Sequence, residues 1–491
     1  MSNCTKPNVV LLYVDDLGYG DLGCYGGVGV ATPHLDAMAE SGIQFADGYS
    51  TSAVCTPARY SILTGEYPFR NEGTHILRGN AACIINEEQP TLPKIFKEAG
   101  YRTAIVGKWH LGLGHNDIDW NKDITLTPND VGFDYSFIFP ATADRVPCVY
   151  LRNRTVVGLD PEDPIEVSYS KVCPYDDIPT ATKNPEMLRV LHSHSHNHSI
   201  VNGVGRLGYM RGGKKATWRD EDLGETFLNE AKNFVKESKD EPFFLFYALH
   251  QPHVPRIPNE KFLGKSGLGV RGDVIMEMDD CIGQFTQFLE EEGLLENTIL
   301  VFSSDNGPVL DDGYQDGAEL YNRTAGHRPA GPLRGGKYSQ YEGGARVPFI
   351  VNWKGHIQPQ VSHALISQVD LPACFAKMLN VDLGEGFADS EDVLDALLGK
   401  STQGRKDVLA EALNKSLFLR SGKWTYMQPC DDPCNYFATT DSELGHSRDP
   451  QLFNMAYDIN QRENVANRHA DLVKQMDDRI EEIKASKMTR K

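Results

Sequence analysis

Four short, continuously apolar runs along the chain each stop at polar residues able to do chemistry. Residues 8–14 stop at Asp15-Asp16, 102–106 at Gly107-Lys108-Trp109-His110, 242–249 at His250-Gln251-Pro252-His253, and 298–304 at Asp305-Asn306-Gly307. Runs of this length without alternation read as strands buried on both faces of a parallel sheet. Stretches of helical pattern at 33–41, 91–99, 222–237 and 272–292 lie between them. This order predicts an α/β fold, a large mixed, mostly parallel sheet flanked by helices. Such sheets bind ligands beyond the carboxyl ends of their strands. Turn preference alone explains Asp, Asn or Gly after any one strand, but four such ends predict one shared site.

From about 116 to 210 the chain loses periodicity and is rich in Pro, Asp and Asn, which predicts long loops over the sheet edge or the site. Beyond about 385 the texture changes. Residues 415–428 read as a hairpin turning at Ser421-Gly422, and 463–486 as a closing helix. The expected organisation is a catalytic domain over 1–385 and a smaller C-terminal α+β subdomain over 386–491 carrying an antiparallel sheet.

Composition narrows the function. With 491 residues, 40% hydrophobic and 24% charged, the chain is an ordinary globular one of two or three compact units, and no apolar run is long enough for a bilayer. Its net charge of −19 excludes a broad nucleic-acid surface but not a local cationic pocket for a small anion, because screening confines charges to about 8–10 Å. Ten cysteines are spread thinly; only Cys430 and Cys434 are neighbours, as a local disulfide or as two thiols. The start, Met1 to Pro7, carries no basic segment followed by an apolar stretch, so no signal peptide is legible. The protein either works where it is made, in the cytoplasm, or has lost an export signal, with Cys4 near a lipidated start.

The segment Cys55-Thr-Pro-Ala-Arg59-Tyr-Ser-Ile-Leu63-Thr64-Gly65 carries the most specific signal. Pro57 suits the first turn of a helix, which puts Cys55 at a helix N-terminus whose free N–H groups and partial positive charge favour an anion. The segment resembles the signature of the formylglycine-dependent sulfatases, of the alkaline phosphatase superfamily, at every fixed position, with Ala58 where many members have Ser. Gly107 to Gly112, His250 to Pro255 and Gly335 to Pro348 resemble further segments of that family in order along the chain.

Three carboxylates and an amide oxygen, from Asp15, Asp16, Asp305 and Asn306, are a hard oxygen donor set suited to calcium or magnesium rather than zinc. The resemblance implies that these four hold a calcium ion, with an oxygen of residue 55 adding a ligand. It implies that a separate maturation enzyme oxidises Cys55 to formylglycine, an aldehyde that hydrates to a diol. Lys108 and Lys337 would hold the sulfate, Arg59 would add positive charge, His110 would act on the diol, and His253 would meet the leaving oxygen. Thr142 corresponds, by a looser match, to a hydroxyl that some members place against substrate.

The implied function is hydrolysis of an organic sulfate ester, a sulfated sugar first among them, in an arylsulfatase-like site. One diol hydroxyl attacks sulfur, and loss of a proton from the other expels sulfate by collapse to the aldehyde. Two alternatives stand beside it: a phosphate or phosphonate ester hydrolase of the same superfamily, and a non-catalytic glycan-binding protein in which Cys55 stays a thiol. His192, His194, His196 and His198 alternate, either as a solvated loop or as a transition-metal strand.

Overall fold

The computed structural model describes residues 6–431 and 433–490; the expectation for Cys4 lies outside them. A sheet of ten strands crosses the molecule. In chain order they are β1 (Asn8–Val14), β2 (Ile43–Phe45), β3 (Arg102–Lys108), β4 (Tyr135–Phe139), β5 (Leu151–Arg152), β6 (Thr155–Val156), β7 (Phe243–Ala248), β8 (Thr298–Ser304), β9 (Phe349–Asn352) and β10 (Gln360–Ser362). Across the sheet they run β10-β2-β9-β8-β1-β7-β3-β4-β5-β6. The central five, β8-β1-β7-β3-β4, are parallel, and β9 and β5 flank them antiparallel.

The four apolar runs are thus four adjacent strands of one parallel block. Every residue of β1, β7 and β8 is buried, as expected of strands covered on both faces. The fifth strand of the block, β4, lies in the region expected to be loops. Its run is only Tyr-Ser-Phe-Ile-Phe and its neighbours on either side are irregular, so periodicity had little to work on. Four helices cover the sheet near their expected positions: Pro33–Glu40, Leu92–Glu98, Leu223–Ser238 and Gly269–Glu291.

The C-terminal part forms a four-stranded antiparallel sheet of Asp407–Glu411, Leu417–Ser421, Trp424–Met427 and Gln451–Asn454. Met476, Ile480 and Ile483 of the helix Ala470–Ala485 pack on Leu409, Leu419, Tyr426 and Leu452 of that sheet. This helix starts later than the pattern suggested. Residues 463–469 instead lie against the last strand, where the Val465 N–H donates to Leu452 O at 2.9 Å. The sheet also reaches the larger N-terminal part: Ala53 N–H donates to Glu411 O (2.8 Å) and Glu411 N–H to Thr51 O (3.0 Å), immediately before Cys55. Among the described residues, no helix is long and apolar enough to cross a membrane.

Candidate active site

The site is assembled by strand register. Val14 of β1 pairs with Ser304 of β8, so Asp15-Asp16 and Asp305-Asn306 leave the sheet side by side. Backbone hydrogen bonds extend the pairing past the strand ends, Asp305 N–H to Val14 O and Asp15 N–H to Gln251 O, both 3.1 Å. The Ser304 hydroxyl accepts from Leu17 N–H (3.0 Å) and donates to Asn306 O (2.9 Å), which fixes both turns. Lys108 is the last residue of β3, one strand beyond β7, and His253 follows β7.

Backbone strain gathers here. Asp16 (φ 63°) and His110 (φ 56°) sit in the left-handed region, as does Tyr338 (φ 76°) next to Lys337. Such residues cost about 1–3 kcal/mol each and persist only where the surroundings over-determine them. Gly107 (φ 117°) has no alternative, since a Cβ there would lie 1.9 Å from Ala248 O.

Cys55 opens a fully buried helix, Cys55–Thr64, which ends at Gly65 in the left-handed conformation. No side chain caps its first turn, so its N–H groups face the site. Burial pushes the Cys55 thiol pKa up, against the pull of Lys108 and Lys337. One turn on, Arg59 donates through Nε to Asp305 Oδ2 (2.9 Å), and its guanidinium lies over the Tyr13 ring at 5.2 Å.

Around Cys55 the charges interlock. Lys108 Nζ is 2.6 Å from Asp15 Oδ2 and 3.8 Å from Asp305 Oδ2. Lys337 Nζ is 2.9 Å from Asp16 Oδ2 and 2.7 Å from Asp312 Oδ2. Asn306 donates to Asp16 Oδ1 at 2.8 Å, and His253 Nε2 lies 3.8 Å from Asp16 Oδ2. Asp15, Asp305 and Cys55 bring one donor atom each within 4.8 Å of one another, and so do Asp15, Asp16 and His253.

The electrostatic consequences follow from burial. Burial and the Asp15 charge push Asp305 up to about 6, opposed by Arg59 and Lys108. Burial would also raise Asp16, but Lys337, His253 and Lys108 outweigh it and hold that carboxyl well below its ordinary range. Burial and Lys337 push His253 down to about 4, so its ring is neutral, with Nδ1 2.6 Å from Val254 O. His110 is driven well below its usual value by burial, then by Lys108 and Arg145. Its Nε2 is 3.1 Å from Leu77 O, while its Nδ1 is buried without a partner.

The donor set fits a hard divalent cation. Asp15 Oδ1 and Asn306 Oδ1 are buried acceptors with no hydrogen bond, an arrangement that costs about 1–3 kcal/mol per group unless a cation takes them up. The network holds four carboxylates (Asp15, Asp16, Asp305, Asp312) against three fixed cations (Arg59, Lys108, Lys337). Ionised, it is one charge negative and repels an anion; a dication reverses that sign.

Ten of the eleven residues singled out in the sequence therefore lie at or beside one buried cluster. Thr142 adjoins the cluster through Arg145: its hydroxyl bonds Asp144 and accepts from Arg145 Nη1 at 2.8 Å, and that Nη1 lies 3.3 Å from His110 Nε2. Sequence reasoning passed over Asp312, which pairs Lys337 and accepts from the Tyr338 hydroxyl at 2.9 Å. The histidine tract is neither a free loop nor a metal strand: His196 Nε2 is 2.9 Å from Asp144, His198 stacks on Tyr209, and His194 lies 3.9 Å from Asp311. A cavity of about 460 Å³, lined in part by Arg328, Arg334 and Glu443, lies behind Gly335-Gly336, and none of the site residues lines it.

Comparison with known proteins agrees with this geometry. Residues 7–381 match the family model described as Sulfatase. An N-acetylgalactosamine-6-O-sulfatase of Bacteroides thetaiotaomicron is 47% identical over 484 residues, covering 98% of this chain and 94% of that protein. Human arylsulfatase A is 31% identical over 406 residues, covering 82% and 70%. A solved structure from work on the metabolism of multiple glycosaminoglycans by Bacteroides thetaiotaomicron superposes with a TM-score of 0.96 at 46% identity, covering 98% of this chain and all of that one. A phosphonate monoester hydrolase of Agrobacterium radiobacter, at 15% identity and a TM-score of 0.56, shares the fold alone. The chain belongs to the sulfatase family, and it is a sulfuric ester hydrolase.

Proposed function

We propose that this sulfatase removes sulfate from a sulfated amino sugar, at O6 of an N-acetylgalactosamine residue. The observation that carries the chemistry is the convergence on Cys55 of Asp15, Asp305 and Lys108, from strand ends far apart in sequence. The choice of sugar rests on the 47% identity, over nearly the whole of both chains, to a protein with that specificity.

Asp15, Asp16, Asp305 and Asn306 hold a calcium or magnesium ion, which supplies positive charge and Lewis acidity beside residue 55. A formylglycine at position 55, formed from Cys55 by a maturation enzyme, supplies the nucleophilic hydroxyl in its hydrated form. The rest is done by side chains already in place. Lys108 is anchored by Asp15 and Lys337 by Asp16, which preorganises both to hold the oxygens of a sulfate group. Arg59 fixes Asp305 and adds a third cation.

His253 is suited to the leaving oxygen. Its Nδ1 is committed to Val254 O, which leaves Nε2 facing the Asp16 side of the pocket. An anionic ester arriving there offsets the depressing charge of Lys337 and draws the ring toward its protonated form. His110 is suited to accept a proton. Leu77 O is nearer to Nε2 than Arg145 is, and a proton on Nε2 toward that carbonyl leaves Nδ1 as a bare lone pair.

The test is sulfate release from defined monosaccharides by protein whose residue 55 has been shown by peptide mass to be the aldehyde. N-acetylgalactosamine 6-sulfate is expected to be cleaved in preference to the 4-sulfate. Equal rates on both, or faster hydrolysis of an aryl phosphate than an aryl sulfate, would contradict the proposal.

A further inference from the structure

Buried arginines among the described residues each have a carboxylate oxygen nearer than that of Arg145, the loosest being Arg346 at 3.2 Å and Arg420 at 3.4 Å. Arg59, Arg206, Arg256 and Arg271 each have a carboxylate oxygen within 2.9 Å, and each side chain is nearly inaccessible. Arg145 differs. Its side chain is 13% exposed, and the nearest carboxylate oxygen, on Asp144, is 3.9 Å away. Asp144 cannot close that gap cheaply, because one of its oxygens is taken by the Thr142 hydroxyl and the other by His196 Nε2 at 2.9 Å. The Arg145 side-chain hydrogen bond found among the described residues uses Nη1, to the Thr142 hydroxyl (2.8 Å), and the same Nη1 lies 3.3 Å from His110 Nε2 without accepting or donating there. Its Nε and Nη2 donors remain for a ligand.

A second guanidinium is linked to the Arg145 segment through Tyr169. Arg78 follows Leu77, whose carbonyl is the partner of His110 Nε2, and it lies over the Tyr169 ring at 5.7 Å. Arg78 is exposed, with no carboxylate within 4.0 Å among the described residues. The Tyr169 hydroxyl ties the two segments together, accepting from Gly79 N–H (3.0 Å) and donating to Val146 O (2.6 Å). Burial works against the Arg145 charge, and Asp144 is the carboxylate that sustains it, from 3.9 Å. Two arginines with no carboxylate nearer than 3.9 Å, on segments joined by Tyr169 and with Arg145 beside His110, stand out in a protein of net charge −19 as a cationic feature separate from Lys108 and Lys337.

We propose that Arg145, assisted by Arg78, binds a second anionic group of the saccharide substrate, carried on or next to the sugar that bears the scissile sulfate, and so selects acidic sulfated glycans over neutral ones. The proposal rests on the reading of the site as a carbohydrate sulfatase. The anion is either a hexuronate carboxylate or a second sulfate ester, both of which suit a planar guanidinium.

Three disaccharides separate these sources: a 6-sulfated N-acetylhexosamine joined to a hexuronate, the same amino sugar sulfate joined to a neutral hexose, and that neutral disaccharide with a second sulfate. Arg145→Gln is expected to lower the kcat/KM of at least one acidic disaccharide relative to the neutral one by about 10- to 100-fold, mainly through KM, the range for losing a hydrogen-bonded charge. A loss confined to the hexuronate identifies a carboxylate, and one confined to the disulfated compound a sulfate. Arg145→Lys should recover part of the ratio. Arg78→Ala, at an exposed position, should shift it the same way with an unaltered melting temperature. An equal loss on all three compounds, or no change in the ratio, overturns the proposal. If the parent protein cleaves none of the three, the carbohydrate sulfatase reading fails. The subsite is then judged by calorimetric binding of the same compounds to Cys55→Ala protein, with and without Arg145→Gln, by the same ratio.

Discussion

Lys337 and Asp16 form a buried ion pair, 2.9 Å from Nζ to Oδ2, between residues 321 positions apart. Neither is secure without the other. Asp16 is 1% exposed and in the left-handed region, and Lys337 is 2% exposed with Asp312 as its second partner. Burial would discharge the lysine, but Asp16 and Asp312 hold its pKa well above the ordinary value, so it stays a cation.

Replacing Lys337 by Met should therefore cost stability as well as activity. It leaves Asp16 and Asp312 facing each other without their shared cation, and breaking a buried pair from one side costs about 3–5 kcal/mol. Urea unfolding should show that loss, with kcat/KM falling about 100-fold or more from the missing transition-state charge. Saturating calcium should restore part of the stability and little of the activity. A variant as stable as the parent would mean that the two carboxylates do not depend on this lysine.

Removal of divalent cations should lower both activity and melting temperature. The buried oxygens Asp15 Oδ1 and Asn306 Oδ1 have no protein donor, so an ion bound there stabilises only the folded chain. At a concentration about 100 times its Kd, such an ion adds about 2.7 kcal/mol. Thermal unfolding in chelator against added calcium or magnesium measures this directly. Asn306→Ala should reduce the calcium-dependent part, and an identical response in parent and variant would remove Asn306 from the ligand set.

Acid should weaken the fold through His250 in particular. This ring lies against Phe139 and Phe227, its Nδ1 has no partner, and burial pushes its pKa down to about 3. Because the native pKa lies below the unfolded one, the unfolded chain binds more protons between about pH 6.5 and 3, so stability falls as pH falls through that window. The contribution is at most about 1.4 kcal/mol per pH unit. His250→Gln should flatten the dependence between pH 6.5 and 5 in urea titrations; an unchanged slope would assign it to other groups.

The sequence made the parallel block readable because four of its strands are buried on both faces and need no alternation to be recognised. It also exposed the residues at their ends, since each strand stops where chemistry begins. Strand β4 was hidden by its brevity, and β9, only four residues long and antiparallel, by starting directly after the segment Gly335 to Pro348 that was read for its glycines and Lys337. Asp312 and Arg145 could not have been found by pattern. Asp312 is five residues past Gly307 in a loop, and its role exists only because Lys337 returns to it from 25 positions later. Likewise, the incomplete neutralisation of Arg145 depends on His196, 52 residues from Asp144, having taken an Asp144 oxygen. Long-range competition for a carboxylate leaves no local periodicity to read.

Position 55 offers the most discriminating test of the chemistry, because a serine there keeps one hydroxyl and removes the second. Cys55→Ser protein should fold like the parent, since the site is held by Asp15, Asp305, Lys108 and Arg59 rather than by residue 55 itself. Its single hydroxyl can attack sulfur and release the alcohol, but the resulting sulfate ester has no neighbouring hydroxyl whose deprotonation would expel sulfate. One equivalent of alcohol should therefore appear rapidly and turnover then stall, with intact mass reporting one sulfate per chain. His110→Ala in the formylglycine-bearing protein should slow the same second half, because it removes the unpartnered Nδ1 suited to take that proton. Sustained multiple turnover by Cys55→Ser would show that outside water can complete the reaction, and the two-hydroxyl mechanism would then have to be abandoned.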